Sequence, residues 1–341
     1  ASKDDTKSTT GWTLKRSAAG KISDIGSYGE VYRPTNNFAL EGENGLLTVN
    51  ETNHSVTISQ ASTDISTIKD FAAVALHAQL TQNGAVKFTD SFDFYNAQTQ
   101  LKLKKDINLT GTGITGFMRD NGRNTDNEEF KSGEGFKGSL NGNKKEITLS
   151  IGEAYGMRAD IDVTSDTEGS GQIYRHSYTG LFAVTSSAAV QNVTIAGSIT
   201  IASEELENNY CGTMAARNMG SSLTVKDCST FVTINYDGNY ENSNFYVGGL
   251  VGEITAANEE NGKLIMTGNK ISGSISQTNN SDHARMGGMI GYISRTEDIK
   301  YSNKNFLLKS PESFTLDLSN TTVNGLKING NAQTSMGGLL G

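Results

Sequence analysis

Two cysteines, two prolines and one tryptophan are all this 341-residue chain contains of those types, and no apolar run approaches the length that crosses a bilayer. Two cysteines exclude a disulfide-stapled scaffold. Two prolines exclude a collagen-like or proline-rich part. Four histidines, with no close ligand pair among them, leave no zinc-protease helix. No nucleophile elbow and no phosphate loop is present. A net charge of −8 argues against a nucleic-acid partner. Only 35% of residues are apolar, and there are 38 glycines. A globular α/β enzyme usually carries more leucine, alanine and helix formers.

The glycines are organised. Gly248-Gly249-Leu250-Val251-Gly252, Gly287-Gly288-Met289-Ile290-Gly291 and Gly337-Gly338-Leu339-Leu340-Gly341 repeat one pattern, with first glycines 39 and 50 residues apart. Recurrence at such intervals marks a solenoid, whose units cannot bury their apolar side chains alone. Uneven spacing suits a β-helix, with fixed strands and variable loops. Leu250, Met289 and Leu339 are then expected one above another, about 4.8 Å per rung.

Weaker copies lie upstream. Tyr210-Cys211-Gly212-Thr213-Met214-Ala215 aligns with Tyr246-Val247-Gly248-Gly249-Leu250-Val251, and Tyr178-Thr179-Gly180-Leu181-Phe182-Ala183 aligns with both. Each copy is followed by short runs rich in Val, Ile and Thr that alternate apolar with polar, the period-two pattern of strands. Asn192, Asp227, Asn269 and Asn320 fall at roughly matching places and read as a corner ladder, because Asn tolerates left-handed backbone. Three strands per rung with Gly and Asn at the corners describe a parallel β-helix.

These glycine motifs resemble those of bacterial cell-surface GLUG-motif proteins. The stretch Leu101 to Leu109, the turn Phe136 to Asn143 and the strand Glu146 to Leu149 resemble the entry segment of that family. The resemblance covers about 65–341 and implies a right-handed β-helix of the pectin-lyase type. The structural glycines would be Gly180, Gly212, Gly248, Gly249, Gly252, Gly287, Gly288, Gly291, Gly337 and Gly338.

Residues 1–64 do not share the repeat and read as a small β-rich region, with 38–40, 46–49 and 55–58 as strands and Trp12 as an anchor. Residues 68–82 form the one good helix: Ile68, Phe71, Ala72, Ala75, Leu76 and Leu80 share a face, Thr67 is a candidate N-cap with Asp70 three residues on, and Asn83-Gly84 is a stop signal. A helix before a solenoid suits a cap that blocks edge pairing. The expected organisation is therefore all-β, a capping helix and parallel β-helix over 65–341 after the small β region. The chain begins without an apolar signal core, like a mature or trimmed protein, and ends inside a repeat, so further rungs or a cap are expected beyond it.

Cys211 and Cys228 stand where neighbouring rungs carry Val247 and Val193, which reads as two buried thiols ahead of a disulfide. An enzyme of the pectin-lyase type would need paired carboxylates. Asp160 and Asp162, Asp90 and Asp93, and the acidic loop with Asp126, Glu128, Glu129 and Glu134 are the available acids, with Arg119, Arg123 and Arg158 as bases; none reaches motif quality. The stretch 235–246 is the most site-like, interleaving aromatic and amide side chains suited to sugars. Its candidate ligand-binding residues are Tyr236, Asp237, Asn239, Tyr240 and Asn242. The expectation is a secreted or surface-displayed bacterial adhesin or binding protein for a glycan or host protein. It would have no catalytic residues, metal, cofactor or membrane-spanning segment. A carbohydrate-active enzyme and the non-catalytic stalk of a larger surface protein are the alternatives.

Overall fold

The computed structural model describes residues 7–8, 13–14, 47–50, 55–58, 61–79, 86–88, 91–111, 116–117, 135–151, 159–161, 174–201, 208–237, 244–255, 262–278, 283–293, 314–330 and 334–341. Among the described residues the regular elements are strands, apart from one helix, Ile68–Gln79. From Gln100–Leu103 onward they wind into a parallel β-helix.

Each full coil visits three sheets. Tyr174–Thr179, Asn208–Gly212, Asn244–Gly248, His283–Gly287 and Thr334–Gly337 stack as the tyrosine sheet. Phe182–Thr185, Ala215–Asn218, Val251–Ile254 and Ile290–Ile293 stack as a short sheet. The chain then enters a long sheet, whose rungs are Ser139–Ile151, Ala188–Ile201, Ser222–Lys226 with Ser229–Tyr236, Gly262–Thr267 with Lys270–Gln277, and Phe314–Asp317 with Thr322–Asn329. Pairing between successive rungs is parallel in all three. Only Ala159–Ile161, at the start of the tyrosine sheet, joins antiparallel.

The repeat aligns as the glycines predict. Gly212, Gly248, Gly287 and Gly337 are in register, and Tyr210 pairs with Tyr246. Leu250 donates its N–H to the Met289 carbonyl at 2.9 Å, and Met289 donates to Leu339 at 2.9 Å. Leu250 and Met289 are fully buried, whereas Leu339, in the final rung, is exposed. The first copy departs from the sequence alignment. Tyr178 pairs with Tyr210, but Phe182 pairs with Ala215, so this turn is one residue shorter than the later ones.

Period-two alternation fills the interior with columns of like residues. Ile151, Ile199, Ile234, Ile275 and Ile328 follow one another in register across five rungs of the long sheet. Ile199, Ile234 and Ile275 are at most 1% exposed. Burying each such side chain stabilises by about 1.5–3 kcal/mol. The corner within the long sheet is turned by left-handed residues: Asn192, Asp227 and Asn320 have φ of 54°, 52° and 56°. In the fourth member of this column the structure corrects the sequence reading. Gly268, at φ 69°, takes the corner, and Asn269 turns inward instead. There its side chain accepts from the Cys228 N–H at 3.0 Å and donates to the Val225 carbonyl at 2.9 Å.

The helix starts on a reciprocal cap. The Asp70 N–H donates to Thr67 Oγ1 at 3.1 Å, while Asp70 Oδ2 accepts from the N–H groups of Ser66 and Thr67, each at 2.9 Å. Phe71, Ala72, Ala73, Val74, Ala75 and Ala78 are all fully buried, a wider buried surface than the face read from spacing, which lacks Ala73, Val74 and Ala78. Phe71 stacks on Phe117 at 4.4 Å, and Phe117, Phe136, Phe94 and Phe182 continue as an aromatic core beneath the first coil. Among the N-terminal strands, Leu47–Asn50 pairs antiparallel with Ser55–Ile58, and Val86–Phe88, from beyond the helix, adds a third strand. Trp12 and 38–40 lie outside the described residues.

Candidate functional site

Side chains that alternate outward from the tyrosine sheet meet those of the short sheet along a seam. The turn between the two sheets folds each strand back closely. A Cβ placed on Gly252 would lie 2.5 Å from the Ala216 carbonyl oxygen and 2.7 Å from the Cys211 nitrogen, so only glycine permits this approach. On the tyrosine side the outward column runs Tyr178, Tyr210, Tyr246, Arg285, Ser335. On the short-sheet side it runs Val184, Arg217, Glu253, Tyr292. Tyr178 and Tyr210, with Ala183, Val184, Ala216 and Met219, form a small apolar cluster separate from the main core.

Four phenol rings stack along this seam. Tyr178 and Tyr210 have centroids 5.1 Å apart, Tyr210 and Tyr246 5.3 Å, and Tyr246 and Tyr292 5.3 Å, with interplanar angles of 13–19°. The Arg285 guanidinium closes the row, 3.9 Å from the Tyr292 ring centroid and 5.6 Å from that of Tyr246. Exposure grows along it: Tyr178 and Tyr210 are buried, whereas Tyr246, Tyr292 and Arg285 are half-buried.

Charge is handled differently at the two ends. Arg217 and Glu253, both buried, form an ion pair at 2.5 Å, and Arg217 also lies over the Tyr210 ring at 4.8 Å. Burial pushes the Tyr210 phenol well above its usual range, an effect that Arg217 opposes. The Tyr246 phenol is raised by burial too, with Arg285 acting against the rise. Arg285 itself has no ion-pair partner among the described residues.

Of the residues picked from sequence, Tyr236 is corrected. It is fully buried, its ring stacks on Phe245 at 4.2 Å, and its hydroxyl accepts from Asn209 Nδ2 at 3.2 Å. The reason is parity: it follows inward-facing Val232 and Ile234 at two-residue intervals on Ser229–Tyr236. Asp237 is exposed and accepts from Thr278 Oγ1 at 3.0 Å. Asn239, Tyr240 and Asn242 lie outside the described residues, as do Asp90, Asp126, Glu128, Glu129, Glu134, Asp162, Arg119, Arg123 and Arg158. Asp160 pairs with Arg175 at the backbone, and Asp93 accepts from the Tyr95 N–H at 2.9 Å in a local turn. Cys211 and Cys228 are free, buried thiols with no disulfide between them. His77 is buried edge-on to Phe92, a packed histidine.

The seam escaped the sequence reading, yet it left a signal. Tyr178, Tyr210 and Tyr246 each stand two residues before the first motif glycine, and Arg217, Glu253 and Tyr292 each stand five after it. Among the described residues no group of three or more His, Cys, Asp or Glu side chains is placed to hold a metal ion. No helix among them is long and apolar enough to cross a membrane. No known protein family, curated protein or solved structure matches this chain.

Proposed function

We propose that this chain is a non-catalytic, secreted or surface-displayed bacterial β-helix protein that binds a glycan on the outer seam. The observation that carries this reading is the half-buried end of the tyrosine row. There Tyr246, Tyr292 and Arg285 present polar groups from a backbone held in register by the rungs on either side. Tyr246 stacks on the rings of Tyr210 and Tyr292, and Arg285 lies against the Tyr292 ring. What the seam offers outward is therefore phenol hydroxyls and guanidinium N–H groups. A strip of donors and acceptors on a rigid support suits a polyhydroxylated ligand. The bacterial surface location rests on the resemblance of the glycine motifs, and the helix is assigned as the cap of the first coil because Phe71 stacks into its aromatic core.

A glycan-binding screen on the purified chain tests this. Wild type should bind at least one glycan class. Tyr292→Ala should weaken that binding at least tenfold while the thermal midpoint stays within a few degrees. Absence of binding to any glycan refutes the reading. Release of reducing ends or unsaturated products from polysaccharides refutes its non-catalytic part.

A further inference from the structure

We infer that the ligand is an acidic glycan and that Arg285 reads its carboxylate; this rests on the glycan-binding reading above. The seam carries two guanidinium groups and one carboxylate. Glu253 is already committed to Arg217 at 2.5 Å, in a buried pair. Arg285 takes the place in the next rung that a fourth tyrosine of the column would fill. It has no carboxylate of its own among the described residues. Among the described residues the seam is thus one positive charge in excess, within a chain whose net charge is −8.

The posture of Arg285 fits this role. Its guanidinium carbon lies over the Tyr292 ring, 3.9 Å from the ring centroid, the position of a cation stacked on an aromatic face. A guanidinium so used keeps its N–H fork free in its own plane, the geometry that receives a carboxylate with two parallel hydrogen bonds. Beside it stand the phenols of Tyr246 and Tyr292, neither hydrogen-bonded to a described residue. Each can donate to and accept from sugar hydroxyls. A cation flanked by two phenols matches a pyranose that carries a carboxylate among its hydroxyls. A neutral sugar would leave the cation unanswered. A simple anion would leave the phenols unused.

The source of the carboxylate, a uronate or a terminal sialic-acid-type sugar, is separated by the test. Titration calorimetry on the whole chain would use a hexuronate trisaccharide and sialyllactose, each beside its carboxyl-reduced neutral counterpart. At least one acid should bind tenfold or more tighter than its reduced form, and that preference should shrink as salt is raised. Arg285→Gln should abolish the preference and leave the weaker neutral binding. Arg285→Lys, a point charge without the fork, should restore only part of it. Tyr292→Phe should weaken acid and neutral ligands by the same factor, which a purely electrostatic patch would not do. Equal binding of acid and reduced forms by wild type overturns the carboxylate assignment and leaves glycan binding standing. Binding of an acidic peptide that depends on Arg285, without any glycan binding, overturns both. Should Arg285→Gln melt early, the Lys variant and the salt dependence decide.

Discussion

One strand of this protein, Asn208–Gly212, presents two faces that are equally buried and chemically unlike. Cys211 points into the main core, in register with Thr179, Val247, Met286 and Met336. Tyr210, its neighbour, points into the seam, in register with Tyr178, Tyr246 and Arg285. The inner column accepts any small or middle-sized side chain that fills space, the tolerance of a core to volume-conserving change. The outer column keeps one ring type for three rungs and then replaces it with a cation. Burial alone therefore does not separate scaffold from site in this fold. The kind of residue a column repeats, and the rung at which it stops repeating, does.

The contrast breaks most completely at the glycine that brings the two faces together. Gly252→Val should cost more than about 4 kcal/mol, because the three atoms nearest to an added Cβ, all within 2.8 Å, belong to backbone that cannot rotate away. Gly338→Ala is the matched control. It belongs to the same motif two rungs later, and an added methyl there would meet nothing within 4 Å, so it should shift stability by no more than about 0.5 kcal/mol. Chemical denaturation of both variants checks this. Equal losses would mean that the motif acts through chain flexibility, without close approach.

A smaller effect tests whether the seam is a polar device or simply more core. Glu253→Leu takes the paired carboxylate away from the buried Arg217 guanidinium and should cost about 3–5 kcal/mol. The double change Arg217→Met with Glu253→Leu should recover most of that loss, because a packed apolar pair replaces a desolvated ionic one. A double-mutant cycle measures the coupling. Additive losses would show that the two charges do not act as a pair.

The coil itself was legible because the glycine motif, the isoleucine alternation and the tyrosine two residues before three of the motif glycines are all local regularities. The seam was not, because its contacts join residues that no local pattern connects. Tyr246 meets Tyr292 only after a whole coil, and Arg217 meets Tyr210 only because the turn through Gly212 folds the strand back. Tyr236 is a core residue by parity, the last buried position of the alternation on Ser229–Tyr236, although the polar, aromatic stretch that follows it has the composition of a binding loop. Asn269 was misplaced by one position for a related reason. Gly268 and Asn269 both tolerate left-handed backbone, and only the inward hydrogen bonds of the amide decide which of them turns the corner.

The smallest effect belongs to the inner face and depends on pH. Burial pushes the Cys228 thiol up to about 12, from an ordinary value near 9, and moves Cys211 in the same direction. In the unfolded chain the thiol loses its proton near pH 9; in the folded chain it holds that proton until about pH 12. Between those values the unfolded state binds fewer protons, so stability is fully present below pH 9 and falls as pH rises. The loss for Cys228 should reach about 2 kcal/mol by pH 10.5. Tyr210, also raised by burial, adds a loss of the same sign at higher pH. Cys228→Val copies Val193, the residue one rung earlier, and should cost about 1 kcal/mol or less at pH 7. Its advantage should appear in alkali. Urea unfolding under reducing conditions, at pH 7 and pH 10.5, should show a smaller decline for the variant than for wild type, by about that 2 kcal/mol. Parallel declines would mean that the thiol ionises as readily in the fold as out of it. The inner column would then admit water, and the distinction between the two faces of the strand would fail at this rung.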